Sequence, residues 1–240
     1  MRPDKITLML LLISCLFNCS QTSWINEDFK AIQDQIDTVS IIFPHIAYYE
    51  KDGKDKAFLF GHSIYISKNT ADVVKELIDE GNYAAKAANI ILDSTVINQW
   101  IPQYFLESVK QYQTLKDTFE NSRTGTRTFP VTSDLKILVD KVNTEYFLFI
   151  QGIAFGTSDE TKKVDVEQAQ TYELLWDCSF SYDYQWDGIQ LWLYLVEKES
   201  YEIVWYSHND KRNTKYHPLK TDQIKQLCLK LFRKPNDQSY

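Results

Sequence analysis

The sequence predicts a single α/β domain with a mixed β-sheet, a C-terminal antiparallel meander and helices packed on the sheet. Three observations carry this. Two runs, Val39–Phe43 and Tyr146–Phe155, are almost continuously apolar, as strands covered on both faces are. A helical stripe of Leu135, Leu138, Val139 and Val142 leads directly into the second run, the signature of α/β order. From Trp176 to Tyr206 the chain reads as a strand meander.

The 240 residues suit one domain. A net charge of −7 argues against nucleic acid, because phosphate contact needs concentrated Lys and Arg. Lys211-Arg212 with Lys215 is the one basic cluster, and it is short.

Residues 1–18 read as an export signal. Arg2 and Lys5 supply a basic start, and Ile6–Phe17 is an apolar run too short to span a bilayer. Two cysteines close it. Leu12-Ile13-Ser14-Cys15 and Leu16-Phe17-Asn18-Cys19 both resemble the lipobox of bacterial lipoproteins, in which the cysteine becomes the acylated N-terminus. Cys19 is the preferred lipid-attachment residue, because it leaves the fuller apolar run and a polar Ser20–Ser23 stretch; Cys15 is the alternative. Residues 19–25 then form a tether, 26–233 the domain and 234–240 a frayed tail. Cleavage before Cys19 takes the charge to −8. The expected location is the cell envelope, lipid-anchored to the outer membrane and facing the periplasm. Ser20 lacks the aspartate that resembles an inner-membrane retention signal.

Along the domain, Asn26–Asp37 has helical spacing through Phe29, Ile32 and Ile36. Thr38–Tyr49 is the first strand, which Pro44 ends or bulges. Phe58–Phe60 fits a short strand. Asn69–Glu80 is a helix with Gly81 past its end. Tyr83–Leu92 fits helix or strand. Ile97–Asn121 is a helical region broken at Pro102, and Arg123–Pro130 a loop. Thr132 or Ser133 caps the next helix. Gly152 and Gly156 mark a bulge and an end in the second apolar strand. Thr221 caps a last helix with Ile224, Leu227, Cys228 and Leu231 inward.

In the meander, apolar and polar residues alternate from Trp176 to Trp186, and Asp187-Gly188 is a two-residue turn signal. That turn pairs Tyr184 with Leu191, Tyr182 with Leu193 and Phe180 with Leu195. Glu202–Tyr206 returns beside the second strand. Trp192, Tyr194 and Val196 share the face opposite Leu191 and Leu193. They lie beneath a helix, or Trp192 and Tyr194 form a protein-binding surface.

No glycine-rich phosphate loop and no Gly-x-Ser-x-Gly elbow occurs; Phe60-Gly61-His62-Ser63 is the nearest approach. His45, His62, His208 and His217 lack metal-ligand spacing. Asp183 and Asp187 flank aromatics, as in carbohydrate sites, but equally suit a strand face and a turn. Cys178 and Cys228 are either a disulfide pair or buried thiols. The sequence assigns no catalytic residue, metal or cofactor.

The order of elements, ending in Ser200-Tyr201-Glu202-Ile203-Val204-Trp205 and a C-terminal helix, resembles bacterial envelope lipoproteins of the curli-secretion and penicillin-binding-protein activator type. The closest likeness is Glu202–Trp205, similar to a Ser/Thr-Gly-Glu-Ile-Val-Trp hairpin end; Tyr201 stands where glycine is usual. The resemblance covers Val39–Phe60 and Thr132–Phe232, and leaves 82–127 unmatched. It implies an α/β sandwich and a non-catalytic protein that works through envelope protein partners. The members share a fold and not an activity. An envelope hydrolase, or a carbohydrate- or lipid-binding carrier, is the alternative. The membrane, reached through acyl chains, is the other expected partner.

Overall fold

A computed structural model describes residues 21–26, 36–52, 55–81, 85–91, 127–131, 133–158, 187–209 and 216–232. Its strands are β1 (Gln21–Ile25), β2 (Thr38–Ile42), β3 (His45–Asp52), β4 (Asp55–Phe58), β5 (Ala87–Ile91), β6 (Tyr146–Thr157), β7 (Gly188–Glu197) and β8 (Ile203–Asn209). Helices α1 (Phe60–Asp79), α2 (Ser133–Val139) and α3 (Thr221–Leu231) pack on them. All strands join one mixed sheet, ordered β1-β8-β7-β6-β2-β5, with β3 continuing β2 along β6 and β4 beside β3. Strands β2 and β3 run parallel to β6, whereas β7 pairs antiparallel with β6 on one edge and with β8 on the other.

The first apolar run is one strand interrupted at Phe43-Pro44. Before the interruption Ile41 faces Leu148; after it His45 faces Gln151. Four residues advance on one side against three on the other, so one residue is extra. Proline has no N–H for the ladder, which makes it the place for such a bulge. The insertion reverses the side-chain parity. Val39 and Ile41 face the same layer as Ile46 and Tyr48, while Ile42 and Ala47 face the other. A bulge also occurs at Leu195/Val196, where Val204 is the extra residue of β8.

Each sheet face carries its own core. On one, Ile66, Val73, Val74, Leu77 and Ile78 of α1 and Ile224, Leu227, Cys228 and Leu231 of α3 cover Ile41, Leu148, Ile150, Leu191, Leu193 and Leu195. The 3.6-residue stripe explains why these helices form and what they bury. Lys225 of α3 links them across their exposed side, 3.0 Å from Glu76 and 3.3 Å from Glu80. Helix α1 ends as expected: Gly81 adopts φ 79 and donates to Ile78 O. On the other face α2 places Leu135, Leu138 and Val139, followed by Val142, over Phe147, Phe149, Trp192, Tyr194 and Tyr206.

Several expectations change. Phe60 begins α1, and the preceding strand is Asp55–Phe58. Lys220, not Thr221, is the N-cap of α3, and it makes no side-chain cap bond. Gly152 is no bulge. It pairs regularly with Leu191 and Ile46, and a Cβ there would lie 2.8 Å from Gln190 O. Glycine is needed for that close approach. Residues Gln21–Ile25 are not a tether: they form an edge strand paired antiparallel with β8. The backbone groups of β8 have a second edge to fill, and Gln21–Ile25 fills it.

The Asp187-Gly188 hairpin register is also overturned. Gly188 opens β7 and stands opposite Phe155. Leu193 lies between Ile150 and Ser207, and Leu195 between Leu148 and Trp205, so both edges are taken. At Leu191 the second edge is filled by a side chain. Asn209 Oδ1 accepts from Leu191 N at 2.8 Å, and Asn209 Nδ2 donates to Ile189 O at 3.0 Å. The alternation at 176–186 falls outside the described residues, as do the helical region expected at 97–121 and residues 27–35 of the helix expected at 26–37; Asn26, Ile36 and Asp37 are not helical.

Candidate functional site

The carboxyl ends of parallel strands are where open α/β sheets usually place ligands. Here that end is formed by β3 and β6, with the start of β7 beside them. Asp187 directly precedes β7, and its Oδ1 accepts from the Thr157 N–H at 2.8 Å. Its Oδ2 lies 3.4 Å from His217 Nε2. His217 Nδ1 accepts from Leu219 N at 3.2 Å, and Gln223 Oε1 accepts from His217 N at 2.6 Å. Tyr48 completes the group. Its hydroxyl sits so close over Gly156 that any Cβ there would collide, and His62 stacks on its ring at 5.0 Å. Burial, then the charges of Glu50 and Asp187, pushes the Tyr48 phenol up to about 12.

The hydrogen bonds of this group tie elements of the fold together. With Nδ1 accepting from a backbone N–H, neutral His217 carries its proton on Nε2, toward Asp187. Both ring nitrogens are then engaged within the fold. The carboxylate joins the end of β6 to the segment entering α3. Tyr48, with its phenol at about 12, stays protonated at neutral pH.

The other histidines are dispersed. His45 is 2% exposed, edge-on to Phe149 at 5.1 Å, and burial lowers its pKa to about 3. His208 is buried against Tyr206 at 4.9 Å. His62 is exposed. Ser63, the serine of Phe60-Gly61-His62-Ser63, is fully buried; it donates to Leu59 O and accepts from Tyr48 N, each at 2.9 Å. Ser67, one turn on, accepts from Ile46 N at 3.2 Å. These two hydroxyls cap the part of the β3 edge that β4 does not cover, and Ser63 is thereby no nucleophile. Among the described residues no group of three or more His, Cys, Asp or Glu could hold a metal ion.

Trp192 and Tyr194 do not form a surface. They are 3% and 0% exposed, and lie in the layer beneath α2. Tyr194 packs on Phe129 at 5.7 Å and Tyr206 at 5.1 Å. The sequence placed them correctly on one face, opposite Leu191 and Leu193, but that face is interior. Phe129, which closes over them, is positioned by donating its N–H to Tyr201 O, a contact no local periodicity announces. The Cys178–Cys228 bridge is likewise not made. Cys228 is a free, fully buried thiol, and burial raises its pKa to about 12. Cys178, Cys15, Cys19 and Asp183 lie outside the described residues.

Sequence reasoning named Asp187 but missed its partner. His217 lies thirty positions further along, and no spacing rule links a pre-strand aspartate to a residue of a distant loop. No protein-family model, curated protein or solved structure matches this chain.

Proposed function

We propose that the protein is a lipid-anchored component of the bacterial cell envelope that works through protein partners and not through catalysis. The observation that carries it is the N-terminal sequence: a basic start, a short apolar run and Cys19, followed within two residues by the first strand of the fold. Diacylation of one cysteine is sufficient for stable anchoring, whereas a single chain is marginal. The non-catalytic part is supported by the Asp187–His217 pair, whose hydrogen-bonding capacity is used within the fold.

Labelled-palmitate incorporation and membrane fractionation test this in the native host. The wild type is expected to take up label and sediment with membranes, and Cys19→Ala to lose both. Label that persists in Cys19→Ala and vanishes in Cys15→Ala moves the anchor to Cys15. An unlabelled, freely soluble wild type overturns the reading.

A further inference from the structure

Reading Cys19 as the anchor has a geometric consequence in this fold. Two peptide units separate Cys19 from Gln21, so the link reaches at most ~7 Å. Gln21 faces Asn209, and Asn209 binds the N–H of Leu191, which faces Gly152. The sheet end near Gln21 is therefore the end at which β6 and β3 terminate. Those strands run on past that level. Lys51 of β3 pairs with Thr157, five residues beyond Gly152, a projection of ~17 Å along the strand direction. The link is shorter than the projection, so it cannot hold the β3–β4 hairpin clear of the bilayer while that end faces the membrane.

The surface of this hairpin suits that position. Phe58, Tyr49 and Phe155 stand abreast on β4, β3 and β6, each half-buried; Tyr49 lies 5.7 Å from Phe58 and 5.9 Å from Phe155. Lys51 and Lys56 pair beyond them, with Lys56 Nζ 5.8 Å from the Phe155 ring. Aromatic rings topped by lysine stems are the side chains that partition to a membrane–water interface. Glu50, Asp52 and Asp55 offset the lysines in sequence, so net charge does not draw the hairpin to anionic lipid.

We propose that this end of the sheet, led by the β3–β4 hairpin, lies on the bilayer surface and is held there by the two-residue link. The proposal rests on the lipid-anchor reading above. The partner is the lipid surface itself, met through aromatic rings and lysine stems, and the opposite end of the sheet, at Glu145 and Lys198–Ser200, points away from it.

The test uses full-length lipidated protein in phosphatidylethanolamine–phosphatidylglycerol vesicles. A photo-crosslinking amino acid replaces Lys56 in one sample and Glu199 in another; both residues are exposed. About tenfold more lipid adduct is expected at position 56 than at 199, because the two lie at opposite ends of strands ~33 Å long. A flexible insert of about twelve residues between Ser20 and Gln21, with ~40 Å of reach, is expected to abolish most of that excess. High salt is expected to leave it unchanged. Equal adducts at the two positions, or an excess that survives the insert, overturns the orientation. Palmitate labelling of the same samples separates the two ideas. Labelled protein without the excess refutes the orientation alone, whereas label absent or carried by Cys15 refutes the anchor reading on which it rests.

Discussion

The two faces of the sheet bury their residues by different means. One layer is mainly aliphatic and lies under α1 and α3, whose stripes recur every three or four residues. The other is rich in aromatic rings: Phe43, Phe129, Phe147, Phe149, Trp192, Tyr194 and Tyr206. Its described covers include the short helix α2 and the extended segment around Phe129, with Phe60 and Ile64 at the start of α1 packed against its margin. An aliphatic layer under a long helix is specified locally, because the covering element carries its own period. An aromatic layer closed by an irregular segment is specified by non-local contacts, and a strand-only reading of it finds an apolar face with nothing assigned to cover it. Trp192 and Tyr194 were open to reading as a binding surface for that reason.

The largest expected effect is in the aromatic layer. Tyr194→Ala should cost about 3–5 kcal/mol, since the ring is fully buried between Phe129 and Tyr206. Urea denaturation gives the value; a loss below about 0.5 kcal/mol would restore the surface interpretation. In the aliphatic layer, Leu77→Ala should cost about 3 kcal/mol, while Ile137→Ala, 49% exposed on α2, should stay within about 0.5 kcal/mol. An Ile137 effect as large as that of Leu77 would mean that α2 packs by another face.

The aromatic layer should also carry an acid sensitivity. His45 is buried neutral, with its pKa lowered to about 3 by burial, whereas the unfolded side chain titrates near its ordinary value of 6.5. Between those values the unfolded state binds the extra proton, so stability falls as pH drops from about 6.5 toward 3. The slope from this residue approaches about 1.4 kcal/mol per pH unit. Comparing wild type with His45→Phe by denaturation at several pH values isolates it, and identical slopes would show that His45 charges without cost.

A smaller effect than those of the core truncations tests the turn that feeds this layer. Tyr201, at φ 57, connects β7 to β8 and accepts the Phe129 N–H. Both Tyr201→Gly and Tyr201→Ala lose the ring, so their difference isolates the backbone term. Glycine should be the more stable by about 1 kcal/mol. Equal stabilities would mean that the turn relaxes out of the left-handed region.

What the sequence determined alone is whatever repeats along the chain. The stripe Leu135, Leu138, Val139, Val142, the inward set of α3, the Gly81 stop and the two-sided burial of Tyr146–Ile150 were legible, because helical and strand periods act over a few residues. Pro44 announced its irregularity through its missing donor. The tertiary structure alone decided the neighbours. Alternation shows which residues share a face, but a ladder leaves the choice among partner strands to distant contacts. So β6 and β8 take both edges of β7, Gln21–Ile25 pairs with β8, and His217 reaches Asp187. Whether an apolar face lies inside or outside depends on the chain that arrives to cover it. That outcome belongs to long-range packing, and no local period encodes it.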